Sequence, residues 1–297
     1  MLPAPFTADF ISRLEALRLK TRKQFLGSRP GSYSSPRRGT SLEFADYRRY
    51  SPGDDIRYLD WGIFARSDRL YVKLFREEVD LFAYLFIDAS GSMGFPSPAA
   101  KFSRACHVAL ALAYVVLANH DHVKLHLLQQ GGAPVASPFY RGRHRIMDCI
   151  DFVSSSTPSG PVEMAPALAE HLQRLRRPGK AILLSDFLMA PASYQQGLNL
   201  LRALNLDISV IQVLARPELS PPFPRGGLAL VDSESRAELQ IQWGGELRRE
   251  YGERLERHNR ELKSFCHQSG IHYSLFVTDG ELDEFVLETL PTIGLFK

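Results

Sequence analysis

A carboxylate and two hydroxyls stand at alternate positions in Asp88-Ala89-Ser90-Gly91-Ser92-Met93, directly after the apolar run Leu81-Phe82-Ala83-Tyr84-Leu85-Phe86-Ile87. Oxygen donors of this kind suit a hard divalent cation. Magnesium takes six oxygens at about 2.1 Å and usually keeps waters or shares an oxygen from a partner. Ser90 and Ser92 would coordinate directly, with Asp88 beside them as a charge-bearing anchor. Few anionic ligands leave the ion electrophilic, so it can accept one more carboxylate from outside. A metal held in that way joins two proteins rather than catalysing. A second acid, Asp186, closes Ile182-Leu183-Leu184-Ser185-Asp186, another strand-like run. If the two strands are neighbours, Asp88 and Asp186 face one ion, directly or through water. That place, outside the carboxyl ends of parallel strands, is where open α/β sheets bind ligands.

The elements that must position these residues are legible as alternation. Strands are predicted near 81–87, 122–129, 181–187, 207–214 and 271–278, with helices near 98–119, 143–154, 163–177, 192–204 and 246–268. This order of strand and helix predicts an α/β fold with a doubly wound, mostly parallel sheet of Rossmann type. Ser97-Pro98 reads as cap and first turn of a helix whose stretch 108–118 is apolar nearly all round, hence central. Leu247, Tyr251, Leu255, Leu262 and Phe265 make one stripe of the last long helix, which ends at Gly270. Residues 227–243 read as a hairpin at the edge of the sheet. Ahead of all this, residues 9–26 form an amphipathic pattern, 27–39 a Gly/Ser/Pro-rich loop, and 42–50, 56–61 and 70–75 short strands. The expected domains are therefore a basic N-terminal extension over 1–80, with a helix and short strands, and an α/β domain over 81–297.

Composition bounds the function. The 297 residues are 44% hydrophobic, enough for a substantial core. The apolar run 108–118 falls short of the about 20 residues that cross a bilayer, so no membrane span is expected. Met1-Leu2-Pro3-Ala4-Pro5-Phe6 has no basic start before an apolar stretch, so no secretory signal is expected and the chain reads as cytoplasmic. Cys106, Cys149 and Cys266 are too few and scattered for a disulfide framework or a zinc ribbon, and read as buried thiols. The net charge of +3 is uneven: residues 1–76 carry 15 Lys/Arg against 8 Asp/Glu. Basic residues spread so widely form a solvated face more readily than a nucleic-acid groove.

Rival chemistries are weaker. Ser90-Gly91-Ser92-Met93-Gly94 is one residue short of a Gly-x-Ser-x-Gly nucleophile elbow, and Asp186 or Asp207 followed by His267 or His272 would complete a serine hydrolase with Ser92 as nucleophile. Against it, the turn follows the first strand, Pro96 and Pro98 delay the helix, and no glycine-run oxyanion loop is present. A strand-end phosphatase would need an acid where Ser90 stands. His120, His122 and His126 lack a fourth zinc ligand at a known spacing. Asp54, Asp55 and Asp60 read as turn residues paired with Arg48, Arg57 or Arg66, and Trp61 as core.

With Asp88, Ser90, Ser92 and Asp186 in hand, the chain resembles the von Willebrand factor A domain and its metal-ion-dependent adhesion site (MIDAS) across 81–290. Arg22, Arg38-Gly39-Thr40-Ser41-Leu42-Glu43-Phe44, Asp46-Tyr47-Arg48, Gly53-Asp54-Asp55-Ile56-Arg57, Asp60-Trp61 and Ala65-Arg66 resemble the signature of the bacterial family called domain of unknown function 58. The resemblance implies a von Willebrand factor A-like domain with an N-terminal extension, acting in protein–protein interaction with a MoxR-type AAA+ ATPase as partner, and Mg2+ (or Mn2+) as the ion. One departure concerns the threonine ligand of the adhesion site. Val162, in Ser159-Gly160-Pro161-Val162-Glu163-Met164, falls on it, so weaker metal affinity is expected unless Thr157, Ser159 or Glu163 compensates. The expected function is a non-enzymatic adaptor that docks an acidic partner residue on the ion. The alternative is a metal-free scaffold that binds through the basic N-terminal region, around Arg37 and Arg38.

Overall fold

Five runs rich in β-branched and aromatic residues are long enough for strands and too short for helices, and each forms a parallel strand. The structure, a computed structural model, describes residues 6–20, 43–76, 80–96, 100–129, 134–175, 177–224, 226–232 and 237–296. In chain order the elements are α1 (Ala8–Glu15), β1 (Glu43–Arg49), α2 (Trp61–Ser67), β2 (Tyr71–Arg76), β3 (Phe82–Asp88), α3 (Ala100–Ala118), β4 (His122–Leu128), β5 (Val135–Ala136), β6 (Tyr140–Arg141), α4 (Ile146–Ser154), α5 (Met164–Leu172), β7 (Lys180–Ser185), α6 (Pro191–Ala203), β8 (Asp207–Leu214), α7 (Arg216–Leu219), β9 (Gly226–Val231), β10 (Glu238–Trp243), α8 (Gly245–Gln268) and β11 (His272–Val277). Two units are distinguished: residues 1–24 with 81–297, and residues 25–80. The expected extension over 1–80 is not one unit here: α1 belongs with the α/β unit.

The larger unit has the doubly wound, mostly parallel sheet that the sequence predicts. Its order is β11-β8-β7-β3-β4-β5, with β6 also pairing β4; β5 and β6 are antiparallel and the other strands parallel. The chain starts in the middle at β3, moves outward to β4, then returns to β7 on the other side of β3. The strand order thus reverses between β3 and β7, and that is the crevice where such sheets take ligands. Alternate strand residues face two cores. Ala83, Leu85, Ile87, Ile182 and Leu184 pack with α1, α3, α4 and the C-terminal stretch 282–296. Tyr84, Phe86, Ala181 and Leu183 pack with α5, α6 and α8. Helix α3 is long and apolar enough to cross a membrane by composition, but it is a core helix, buried from Val108 to Leu117. The three cysteines are free and buried.

Several expectations are corrected. The first helix stops at Glu15: Leu19 bridges to Phe296 and the Lys20 N–H donates to Leu295 O, which draws the chain into extended form. Residues 21–26 of that prediction, the loop 27–39 and the cap Ser97-Pro98 lie outside the described residues. The strand expected over 56–61 is instead a 3-10 turn, Ile56–Tyr58, running into α2. Asp55 accepts the Arg57 N–H and Asp60 accepts those of Gly62 and Ile63, so local carboxylate caps outweigh the β preference of Ile56, Tyr58 and Trp61. Trp61 is not core; it is 62% exposed. The expected hairpin forms, with Leu228 opposite Ile241, but β9 and β10 make a separate two-stranded sheet rather than an edge of the main one. In the smaller unit β1 pairs with β2 antiparallel, and the acids pair as expected, Asp54 with Arg48 at 2.7 Å and Asp55 with Arg57 at 2.5 Å, while Asp60 takes Lys73 at 3.2 Å.

Candidate functional site

Ile87 is in register with Leu184, so β3 and β7 end side by side and deliver Asp88 and Asp186 to the same edge of the sheet. Both carboxylates are 1% exposed. Each is fixed by a turn of its own making. Asp88 Oδ1 accepts the Ser90 N–H at 2.9 Å, and Asp186 Oδ1 accepts the Leu188 N–H at 3.1 Å. Ser185, the last residue of β7, donates its hydroxyl to Asp88 Oδ2 at 2.6 Å and accepts the Phe187 N–H at 3.0 Å. Phe187 itself has φ of 55°, a left-handed conformation that a buried aromatic residue adopts only when its surroundings impose it. Its carbonyl accepts from His258 Nε2 of α8, and Gln212 Nε2 of β8 donates to Asp186 O at 2.9 Å. The strain is thus held at the strand end that aims Asp186.

After β3 the chain makes a short 3-10 turn, Gly91–Gly94, with Ser90 buried and Ser92 half-buried. The two hydroxyl oxygens lie 3.0 Å apart. Two ligands at right angles on an ion with bonds of about 2.1 Å are separated by about 3.0 Å, so the serine pair has the span of one edge of a magnesium octahedron. The loop that carries Val162 is tied to the same turn: Ser159 N–H donates to Ala89 O at 2.9 Å, and Gly91 N–H to Gly160 O at 2.7 Å. Val162 packs into the apolar cluster of α5 and α6 and offers no donor. Thr157, Ser159 and Glu163 are exposed at the rim.

The main surprise is a lysine. Lys101, fully buried near the start of α3, places its ammonium 2.7 Å from Asp186 Oδ2 and 2.6 Å from Glu218 Oε1. Glu218 is in turn held by the Ala215 N–H on Oε2 at 2.8 Å. Burial alone would lower the Lys101 pKa, but the charges of Asp186 and Glu218 outweigh it and raise the ammonium above its ordinary range. Burial pushes Glu218 up, against the pull of Lys101. Asp88 has no such counter-ion. Burial, then the charge of Asp186, raises it to about 6 despite the hydroxyl and amide of Ser185 and Ser90. Lys101 is shared by Asp186 and Glu218 while Asp88 has no ammonium of its own, an excess of two negative charges that one divalent cation would balance.

All four predicted residues, Asp88, Ser90, Ser92 and Asp186, therefore lie at one edge, and sequence reasoning missed Lys101, Ser185 and Glu218. Lysine in the first turn of α3 was the available signal, since a cation there is opposed by the helix dipole and needs an acid. Asp88 and Asp186 are each engaged at both oxygens, whereas the serine hydroxyls meet each other, so the hydroxyls are the donors that would touch an ion directly and the carboxylates would act through water. Among the described residues no group of three or more His, Cys, Asp or Glu could hold a metal, so the candidate centre rests on those hydroxyls.

The rival chemistries do not assemble. Asp207 and His272 open β8 and β11, and His267 precedes β11, so all three lie toward the amino ends of the strands, opposite Ser92. Asp207 pairs with Lys180 at 3.0 Å, His272 Nδ1 with Ile293 O, and Asp186 with Lys101. His126 stacks on Phe86 and meets His171 Nδ1 to Nδ1 at 3.0 Å. Arg37 and Arg38 lie outside the described residues.

The model of the family described as "Protein of unknown function DUF58" matches residues 46–261. Uncharacterized proteins of Mycobacterium tuberculosis (strain H37Rv) and Mycobacterium bovis are each 26% identical over 254 residues, 84% of this chain and 78% of theirs. Similar solved structures include the conserved hypothetical protein BatB of Bacteroides thetaiotaomicron (12% identity, TM-score 0.42, 72% of this chain and 98% of that one). The von Willebrand factor domain of the pilus tip protein Mfa5 of Porphyromonas gingivalis is another (14%, 0.37, 73% and 96%).

Proposed function

The chain belongs to the DUF58 family, and from that premise we propose that it is a cytoplasmic, non-enzymatic adaptor that docks an acidic side chain of a protein partner on a divalent cation, Mg2+ or Mn2+. The observation that carries this reading is the pair of hydroxyls, Ser90 and Ser92, 3.0 Å apart at the switch point of the sheet beside two buried carboxylates. Ser90 and Ser92 would hold the ion directly, with Asp88 and Asp186 behind them as the carboxylates that would hold it through water. What the ion supplies is Lewis acidity toward one further carboxylate oxygen. The chain's own residues fix where that oxygen must arrive: in front of a half-buried Ser92, at the mouth of a turn braced by residues 159–160. Family resemblance gives the partner class, a MoxR-type AAA+ ATPase.

The test is recovery of the partner from native lysate on the full chain, with Mg2+ or with EDTA, and on Ser92→Ala. The reading expects recovery to fall with chelator and with the substitution. Unchanged recovery in both arms removes the metal from the mechanism. If reversing the charges of Arg37 and Arg38 then abolishes recovery, the metal-free scaffold is the function.

A further inference from the structure

The buried ammonium of Lys101 has no part in the docking scheme, yet it touches Asp186, one of the two carboxylates beside the proposed cation. Its contacts, 2.7 Å to Asp186 and 2.6 Å to Glu218, are short, and the residue is fully buried, so the charge is spent inside the site rather than on a surface. No local rule puts it there. An apolar residue of the same length at this buried position would carry no charge to desolvate. A positive charge of this kind acts on any cation beside Asp186 as a like charge does, and it withdraws part of the carboxylate's field from that ion.

We propose that Lys101 is an affinity-determining residue: its ammonium holds Asp186 and keeps the cation weakly bound, so that tight retention requires the extra negative charge of the partner's carboxylate. This rests on the cation reading above. Three carboxylates against one ammonium leave two negative charges, which one divalent ion just neutralises; without Lys101 the ion would meet three. A partner carboxylate supplies both a ligand and a further negative charge. Absence of the threonine ligand, with Val162 turned into the α5–α6 core, works in the same direction. Loading and docking are then one event, and a cation already present in the cell does not lock the site before the partner arrives. Lys101 also serves the unloaded protein, because Asp186 and Glu218 would otherwise be buried together without a counter-charge.

The test uses Mn2+ alone as probe, with the full chain and no partner, following loss of the free-ion electron paramagnetic resonance signal. Lys101→Met should bind Mn2+ roughly tenfold more tightly than the unsubstituted chain, the scale expected for removing one nearby unit charge. Glu218→Gln, which leaves every candidate ligand in place and hands Lys101 wholly to Asp186, should bind severalfold more weakly. Adding Ser92→Ala should abolish binding in each background. If Lys101→Met does not fold, Glu218→Gln carries the test. Equal affinities across the unsubstituted chain and both variants overturn the role of Lys101 and leave the cation reading standing. If no form of the chain takes up Mn2+, the cation reading falls and this inference with it.

Discussion

Asp88 is the residue whose environment and charge conflict most. It is buried with its hydrogen bonds satisfied, but no ammonium faces it, and its carboxyl is raised to about 6 by burial and by Asp186. A folded pKa above the unfolded one means that the native state takes protons first. The stability from this group is complete below the unfolded value near 3.9 and is lost as pH rises through 6. In chelator at pH 7.5, the isosteric Asp88→Asn should therefore raise stability, on the order of 1–3 kcal/mol, read from the urea midpoint at constant m. A lower midpoint would show that the carboxylate is needed by the fold itself. The oxygens of Asp88, Ser90, Ser92 and Asp186 were legible because type and position at a strand end suffice to suggest them. Lys101 was not, since its partners lie 85 and 117 residues away, and a local pattern carries no information about such contacts.

At the scale of elements, the site exists because β3 and β7 are in contact along their length. Gly179, just before β7, marks how close that contact is: a Cβ there would stand 2.1 Å from the Phe82 carbonyl oxygen, a backbone atom that cannot swing away. Gly179→Ala should cost on the order of 1–3 kcal/mol by forcing the strands apart, measured by denaturant unfolding; an unchanged midpoint would mean that the β3–β7 contact is looser than described. The strands were readable from apolar runs bounded by turn residues, whereas the adjacency of β3 and β7 was only a condition until the structure placed them side by side. Residues 56–61 were misread because two aspartate caps decided the structure there, and side-chain capping competes with strand pairing residue by residue. A second element contact, β4 against α5, passes through His126 and His171. The Leu127 carbonyl accepts from His171 Nε2 at 3.2 Å, which leaves His171 Nδ1 as acceptor and makes His126 the donor. Burial holds both imidazoles below their ordinary range, His126 well below. A base with a lowered folded pKa stays neutral in the fold while the unfolded chain protonates. Its stability is complete above about 6.5 and falls as pH drops. In the Asp88→Asn background, which removes the opposing titration of Asp88, the urea midpoint should decline more from pH 7.5 to 5.5 than it does in the same background with His126→Asn, and equal profiles would contradict the neutral pair.

On the scale of the whole molecule, charge is distributed unevenly. Residues 1–76 are basic, with 15 Lys/Arg to 8 Asp/Glu, whereas the predicted docking edge carries an excess of buried negative charge. The doubly wound sheet was legible from the order of elements alone. The allegiance of α1 was not, because an amphipathic stripe says that a helix packs, and not on what. The central claim is that the excess negative charge between β3 and β7 is there to hold one cation at Ser90 and Ser92. Calorimetric titration of MgCl2 or MnCl2 into the full chain and into Asp88→Ala tests it most directly. The account predicts weak one-to-one binding by the full chain and none by the variant; indistinguishable traces would contradict it.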